Sequence, residues 1–364
     1  MFGKFKYLLA FTLPALAVVG FYIGGIWSFS TLVFSFVCLP LFEFVIGTDR
    51  NSLQTEFTSR KQRDAIPVVL VSLSVPIQFA VLIAFLYVQK NYEFSSLTYW
   101  GNITAMGMMC GVFGINVAHE LGHSPLKREQ LMSKALLLTS LYMHFFVEHN
   151  KGHHKWVGTA KDPATARLNE SIYHFYLRVI PLSFASAWRI AKDDAKRKKN
   201  GFFNEVLLYV IIELTVLTLI YALFGWKVFL SFFLAAVMGI LLLETVNYIE
   251  HYGLFRERIT ENRFEDVAPF HSWNSDFILG RIVLFELTRH SDHHANPERP
   301  YEHLRSLDNA GQLPAGYPSM MLLALVPFAW FKIMNPLAMK VKNLQKNLCL
   351  VLPAIRYRRP HRLD

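Results

Sequence analysis

Six long apolar runs most constrain how this chain of 364 residues can fold. The hydrocarbon layer of a membrane is about 30 Å thick, and an α-helix crosses it with about 20 mostly apolar residues. A composition with 53% hydrophobic residues is also too apolar for a water-soluble protein of this size. The sequence therefore predicts an all-α, polytopic integral membrane protein with six transmembrane helices, at residues 7–24, 27–47, 66–88, 99–118, 205–225 and 227–248.

Basic residues between these runs predict which side of the membrane each loop occupies. Short loops rich in lysine and arginine stay in the cytoplasm, and three such loops would share one side. They are the start of the chain (Lys4 and Lys6), the loop between the second and third runs (Arg50, Arg60, Lys61 and Arg63) and residues 196–199. Both termini are then cytoplasmic, together with segments 119–204 and 249–320 and a basic tail at 337–364.

Much of the net charge of +10 follows from this asymmetry, and the basic tail adds to it. Anionic lipid headgroups explain a basic cytoplasmic side without any further partner. The alternative is that the basic side is a docking surface for an acidic redox protein. No nucleic-acid partner is expected of a polytopic membrane chain.

Thirteen of the fourteen histidines lie between residues 119 and 303, at or beside the predicted cytoplasmic side. Nine of them come in the motifs HELGH, EHNKGHH, NYIEHYGL and RHSDHH. Many titratable rings beside a low-dielectric region are costly and usually functional, so a cytoplasmic-face, histidine-rich metal domain is predicted. The candidate ligands are His119, His123, His149, His153, His154, His251, His290, His293 and His294.

The spacing of these histidines suits two neighbouring ions. Residues four apart share one face of a helix, so two imidazoles at this spacing can point at one ion. The pairs that fit are His119/His123, His149/His153 and His290/His294. Adjacent histidines point in directions about 100° apart, so one helix can supply both ions. Nine imidazoles exceed the four ligands of one tetrahedral ion, and imidazole alone suits zinc, copper, iron or nickel.

Polar residues beside the motifs are candidates for a second shell, accepting the other ring N–H of a ligating histidine. They are Asn116, Glu120, Glu148, Glu250, His271 and Asp292. The isolated His144, His174, His303 and His361 are expected to pack or to lie on the surface. Residues 131–147 are apolar but short, which predicts a helix lying in, or dipping into, the membrane interface.

The motif HELGH alone also matches the H-E-x-x-H of zinc metalloproteases. That remote alternative needs only one further ligand and leaves the other seven clustered histidines without a role. The three cysteines, Cys38, Cys110 and Cys349, form no Cys-x-x-Cys pair. The chain therefore cannot hold an iron–sulfur centre or a rubredoxin-like iron site of its own.

Taken together, HELGH, EHNKGHH, DPAT, NYIEHYGL, HSWNS and RHSDHHANP resemble the membrane alkane 1-monooxygenases of the di-iron fatty acid desaturase and hydroxylase superfamily. The resemblance implies two non-haem iron ions on the nine histidines, with O2 as co-substrate. It implies hydroxylation of the terminal methyl of medium- or long-chain n-alkanes in the bacterial inner membrane. It also implies electrons from a separate rubredoxin, with a rubredoxin reductase and NAD(P)H upstream. A fatty-acyl desaturase or a xylene-type methyl hydroxylase of the same superfamily is the near alternative.

Overall fold

The computed structural model describes residues 3–51, 64–198, 204–261 and 263–351, with side chains placed up to Gln345. Six of its helices are long and apolar enough to cross a membrane, which confirms the predicted number of spans. They are α1 (Phe5–Ile23), α2 (Gly25–Ile46), α3 (Ala65–Gln89), α4 (Leu97–Gly122), α8 (Glu205–Phe224) and α9 (Trp226–His251). Arg60, Lys61, Arg63, Lys199 and His361 lie outside the described residues.

Helix α4 lies at the centre of the bundle, since 89% of its most apolar window is buried. It packs against α9 through small residues. A Cβ on Gly107 would lie 2.6 Å from the sulfur of Met238, and one on Gly239 would lie 2.5 Å from the Cβ of Cys110. Small residues let two membrane helices approach closely. This crossing fixes the relative position of the two cytoplasmic helix ends, where His119 and His251 lie.

The chain between α4 and α8 contains α5 (Lys127–Leu138), a turn at residues 139–144, a helical segment at 145–156 and α7 (Ile172–Arg197). The predicted single helix at 131–147 is therefore wrong. The helix is broken at the turn, where Leu141 has a φ of 52°, a left-handed conformation that non-glycine residues rarely adopt.

Polar groups from four spans hold this turn, which we call the clamped turn. The Gln78 side chain donates to the Thr139 hydroxyl at 3.0 Å, and the Ser140 hydroxyl donates to the carbonyl of Cys110 at 3.0 Å. Glu213 accepts the backbone N–H of Met143 at 2.7 Å, and Glu244 accepts the hydroxyl of Tyr142 at 2.8 Å. Non-helical backbone among membrane helices needs such partners because lipid supplies none.

The second extramembrane segment follows α9 and carries two short strand pairs. Strands β1 (Arg258–Thr260) and β2 (Arg263–Phe264) are antiparallel, while β3 (Trp273–Asn274) and β4 (Gly311–Gln312) are parallel. Four further helices belong to this region: α10 (Ile278–Val283), α11 (His290–Ala295), α12 (Tyr317–Ala324) and α13 (Pro327–Val351). The predicted tail at 337–364 does not begin as a separate segment, because α13 continues through residue 337.

Candidate metal centre

The structure brings all nine candidate histidines together in two groups. Each group offers ring nitrogens that all lie within 4.8 Å of one another. The first group has five members, His119, His123, His149, His154 and His293. The second group has four members, His153, His251, His290 and His294. The geometry therefore offers two neighbouring groups of ligands, each of which could hold one metal ion.

In the first group the Nε2 atoms point at one another. The distance is 2.9 Å between His119 and His293, 3.1 Å between His123 and His149, and 3.0 Å between His149 and His154. His293 and His154 are 3.1 Å apart. These four contacts link all five imidazoles, so their nitrogens surround one small space.

In the second group Nε2 of His290 lies 3.1 Å from that of His251 and 2.8 Å from that of His294. The Nε2 atom of His153 is buried and has no hydrogen-bond partner among the described residues. A buried, unsatisfied polar atom costs free energy, unless something outside the protein chain satisfies it.

The donor set fits metal ions. Burial, reinforced by neighbouring imidazoles, lowers the pKa values of His149, His154, His290, His293 and His294 well below the ordinary value. These rings are therefore neutral near pH 7, and a neutral imidazole carries only one N–H. Two N–H groups cannot face each other at about 3 Å, so at least one nitrogen of each facing pair must present a lone pair, which can bind a cation. Imidazole ligands suit iron, zinc, copper and nickel.

His149 and His153, whose spacing would allow them to share an ion, lie in different groups. Residues His149–His153 form a π-helical turn, whose i→i+5 hydrogen bonds widen the helix. This turn brings His154, five residues on, beside His149, while His153 joins the other group. The other two predicted pairs, His119/His123 and His290/His294, stay together, and the adjacent pairs His153/His154 and His293/His294 each divide between the groups.

Glu250 and Asp162 each lie close to a clustered imidazole. Glu250 lies 3.3 Å from Nδ1 of His290 and also accepts the hydroxyl of Tyr317 at 2.8 Å. Asp162 lies 3.0 Å from Nδ1 of His153, and it accepts the Thr165 hydroxyl at 2.6 Å. Burial alone would raise the pKa of Asp162, but His153 and Thr165 keep it below its ordinary value. In a metal-bound His153, this carboxylate would accept the Nδ1–H and leave the lone pair of Nε2 for the ion.

Sequence reasoning listed Glu250 as a second-shell candidate but missed Asp162. The available signal was the motif DPAT, which contributes to the family resemblance and whose first residue is Asp162. Nothing in the spacing of nine residues from His153 requires the contact, because an irregular segment separates the two residues.

The other predicted second-shell residues have different partners. Asn116 donates to the carbonyl of Leu284 at 3.0 Å, and Glu120 accepts the N–H of Tyr301 at 3.3 Å. His271 hydrogen-bonds Glu265 at 3.0 Å. Asp292 binds Arg299, Arg305 and Asn296, thereby fixing the loop after α11.

Glu148 is fully enclosed next to Gly152, and one of its carboxylate oxygens has no partner among the described residues. Burial, together with the nearby Asp162, raises the pKa of Glu148 well above its ordinary value. The geometry gives it no contact that would mark it as an acceptor for a clustered imidazole.

An apolar cavity leads from within the helical bundle to both histidine groups. His119 and His149 of the first group and His290 of the second are among its lining residues. Its walls are largely aliphatic and include Leu13, Phe36, Met108 and Leu242, while Asn116, Asn247 and Glu250 are among its few polar residues. Met108 precedes His119 on α4 by 11 residues, so the lining extends along about 16 Å of helix.

A bundle of six membrane-spanning helices with nine histidines in two groups defines a membrane metalloenzyme architecture. The family model of fatty acid desaturases matches residues 95–324. An alkane 1-monooxygenase of Pseudomonas putida is 36% identical over 345 residues, or 92% of this chain and 85% of the relative. Alkane 1-monooxygenase 1 of Alcanivorax borkumensis is 34% identical over 359 residues, or 96% and 88% of the two chains.

A more distant relative is the xylene/toluene monooxygenase hydroxylase component of Pseudomonas putida, 25% identical over 337 residues, which are 90% of this chain and 87% of the relative. The chain therefore belongs to the fatty acid desaturase family and, within it, to the alkane 1-monooxygenases. The predicted family and the prediction of an enzyme are both confirmed.

Proposed function

We propose that the protein hydroxylates the terminal methyl of medium- or long-chain n-alkanes to 1-alcohols with O2. The single observation that carries this proposal is the apolar cavity whose lining includes His119, His149 and His290, since it reaches both histidine groups. An alkane has no polar handle, so only the shape of an apolar cavity can orient it. A cavity that extends along the helices and reaches the histidines favours reaction at a chain end.

The metals in this proposal are two iron ions, one held by each histidine group. Bound iron would supply the reduction of O2 and the oxidation of an unactivated C–H bond. Asp162 and Glu250 would orient His153 and His290 from behind. The largely aliphatic cavity wall excludes water from the reacting carbon, which limits side reactions of a strong oxidant.

In this proposal the electrons come from another protein. Hydroxylation of RH by O2 takes two electrons and two protons and gives ROH and water. The three cysteines are too scattered along the chain to form a rubredoxin-like iron site. A separate rubredoxin, reduced by a rubredoxin reductase and NAD(P)H, fits this requirement.

The proposed location is the bacterial inner membrane, with both termini and the histidine groups on the cytoplasmic side. The basic residues described above support this orientation. Fusing a reporter that is active only in the cytoplasm to the end of the chain, and to the α8–α9 connection at Gly225, gives a direct test. Activity of the first fusion and inactivity of the second is the expected result, and the reverse pattern contradicts the orientation.

The function is tested with purified protein in detergent, with its iron content measured by elemental analysis. Rubredoxin, its reductase and NADH are supplied with n-alkanes of increasing length, a fatty acyl substrate and an alkylbenzene. A 1-alcohol from an alkane, formed only with O2, is the expected product. Exclusive formation of an alkene from the fatty acyl substrate would identify a desaturase, and preferential oxidation of the alkylbenzene would identify a xylene-type hydroxylase.

A ligand variant links the product to the histidine groups. His251→Ala removes one of the four imidazoles of the second group, so bound iron and alcohol formation should both be lost. His174→Ala is the matched control, because His174 is exposed and pairs with Glu170 away from both groups. Full activity of His251→Ala would exclude His251 as a ligand, and zinc without iron in an active wild-type protein would favour a hydrolase.

A further inference from the structure

The position of the histidine groups limits where an electron donor can bind. If the proposed hydroxylation is right, a carrier protein must bring electrons to a point on the surface that is close to one of the groups. The relevant surface therefore has to combine exposure, a charge that selects the carrier and a short connection to a ligand.

One surface cleft meets these conditions. It lies between the segment that follows the histidines of EHNKGHH and helix α7, and we call it the basic cleft. Its lining includes Trp156, Lys161, Asp162, Arg167, Arg178 and Arg189. Trp156 comes two residues after His154, so the cleft begins where the ligand-bearing segment ends.

The rim of the basic cleft carries a net positive charge, since four basic side chains outnumber its one exposed carboxylate, Asp193. The basic side chains are exposed and form no ion pair within the described part of the chain; they are Lys155, Lys161, Arg167 and Arg189. The cleft's other arginine, Arg178, is neutralised by Glu170 at 2.7 Å. Charges of one sign around a cleft attract a partner of the opposite sign and accelerate its association.

The rim also offers an anchor typical of protein interfaces. The partly exposed indole of Trp156 has the ammonium groups of Lys155 and Lys161 at 4.9 and 4.4 Å from its ring centroid. Tryptophan and arginine are enriched among the residues that dominate binding energy. This combination suits a folded protein surface with acidic residues around a small apolar contact.

The wall of the basic cleft is connected directly to the second histidine group. Asp162 lines the cleft, and its carboxylate is 3.0 Å from Nδ1 of His153. A single hydrogen bond therefore separates the cleft from a candidate metal ligand. The apolar cavity approaches the histidines from within the bundle, so the two approaches do not compete for space.

We propose that the basic cleft is the docking site of an acidic, one-electron carrier protein, and that electrons enter through Asp162 and His153. The proposal rests on the proposed hydroxylase function. Two docking events deliver two electrons per turnover, and each oxidises one carrier by one electron. With two protons, these electrons reduce one oxygen atom of O2 to water while the other enters the alcohol.

The test compares charge reversal at the cleft with charge reversal elsewhere. The double variant Lys161→Glu/Arg189→Glu changes the rim, and Lys340→Glu/Lys342→Glu, on the exposed side of α13, makes the same change in net charge at a distance. Alcohol formation is measured against concentration of reduced rubredoxin and, separately, with dithionite as a small chemical reductant. The KM for rubredoxin should rise about tenfold or more in the cleft variant and stay unchanged in the control.

Further outcomes separate the possibilities. The wild-type KM should rise with salt, and this dependence should weaken in the cleft variant. An unchanged rubredoxin KM in the cleft variant, with normal dithionite-driven turnover, overturns the docking site while leaving the hydroxylase function intact. Absence of alcohol with either reductant in the wild type contradicts the hydroxylase function itself. If the cleft variant loses binding to anionic vesicles but keeps its KM for rubredoxin, the basic residues bind lipid headgroups, and the proposal is also overturned.

Discussion

At the scale of single residues, Asp162 ties the irregular segment after the EHNKGHH histidines to the second histidine group through Nδ1 of His153. Replacing it by Asn removes the charge that holds this ring in one tautomer. Loss of such outer partners lowers metal affinity by about 10- to 100-fold. We therefore expect Asp162→Asn to lose its iron at a lower chelator concentration than the wild type does. The measurement is the iron that remains bound after dialysis against increasing concentrations of chelator.

The control for this prediction is Asp194→Asn. Asp194 is a carboxylate of the same type that pairs with Lys151 at the surface. Equal iron retention in both variants and the wild type would show that Asp162 does not orient His153.

Glu286 is a second residue whose charge is enclosed by the fold. Glu286 lies four residues before His290 in the sequence. Its carboxylate accepts hydrogen bonds from Lys6 at 2.7 Å, Tyr7 at 3.0 Å and Arg281 at 2.8 Å. Glu286 and Phe285 have φ values of 58° and 52°, which the surrounding contacts must maintain. Burial by itself would raise the pKa of Glu286, but Arg281 and Lys6 lower it to about 2.

This depressed pKa predicts a pH-dependent contribution to stability. The folded-state value lies below the unfolded one of about 4.5, so the contribution is complete above pH 4.5 and is lost as the pH falls towards 2. Near neutral pH, Glu286→Gln should lower the free energy of unfolding by about 3 kcal/mol. Denaturant titrations of the metal-free proteins measure the difference in free energy of unfolding between the variant and the wild type, which should become smaller below about pH 4.5. A difference that does not change with pH would show that the charge of Glu286 does not stabilise the fold.

Which residues form the site could largely be predicted, because depth in a membrane follows from the length of an apolar run. The runs that end near residues 118 and 248 place His119 and His251 at one level, and the clustered spacings supply the rest. The division of His149 from His153 could not be predicted, since a π-helical turn leaves no mark in the spacing of the residues. Asp162 and Glu286 act through contacts between distant segments, which local patterns do not encode.

At the scale of secondary-structure elements, the clamped turn is the main departure from the predicted architecture. An apolar run at 131–147 gives no sign that it breaks at residue 139. The partners that make the break tolerable come from α3, α4, α8 and α9. Glu213 and Glu244 thereby acquire a role that inspection of their spans alone could not assign.

The clamped turn predicts a graded response at Glu213, which accepts the backbone N–H of Met143. Glu213→Leu leaves that buried donor unsatisfied, which costs about 1–3 kcal/mol, whereas Glu213→Gln keeps an acceptor and should restore most of the loss. Because Phe145 lines the cavity and stacks on His149 at 4.8 Å, Glu213→Leu should also retain less iron. Thermal unfolding in detergent and iron analysis check both effects, and identical behaviour of the two variants would argue against the clamp.

At the scale of the whole molecule, the tight crossing of α4 and α9 sets two things at once. It fixes the ends that carry His119 and His251, and it lines the cavity with Met108 and Leu242 on the path to them. The packing of α4 against α9 therefore sets the distance between Met108 and the histidines. A change far along the cavity should alter which substrates fit without disturbing the ligands.

Met108→Ala tests this separation. The substitution opens space about 16 Å along α4 from His119, so the preferred alkane should become longer while hydroxylation stays at the terminal carbon. The cost of the new space is stability, about 2–5 kcal/mol for a buried Met→Ala change, and bound iron should remain at the wild-type level. Product analysis across an alkane series measures the preference, with Met339→Ala on the exposed side of α13 as control. If Met108→Ala prefers alkanes of the same length as the wild type, or prefers longer ones only with loss of iron, the cavity does not determine which chain lengths the enzyme accepts.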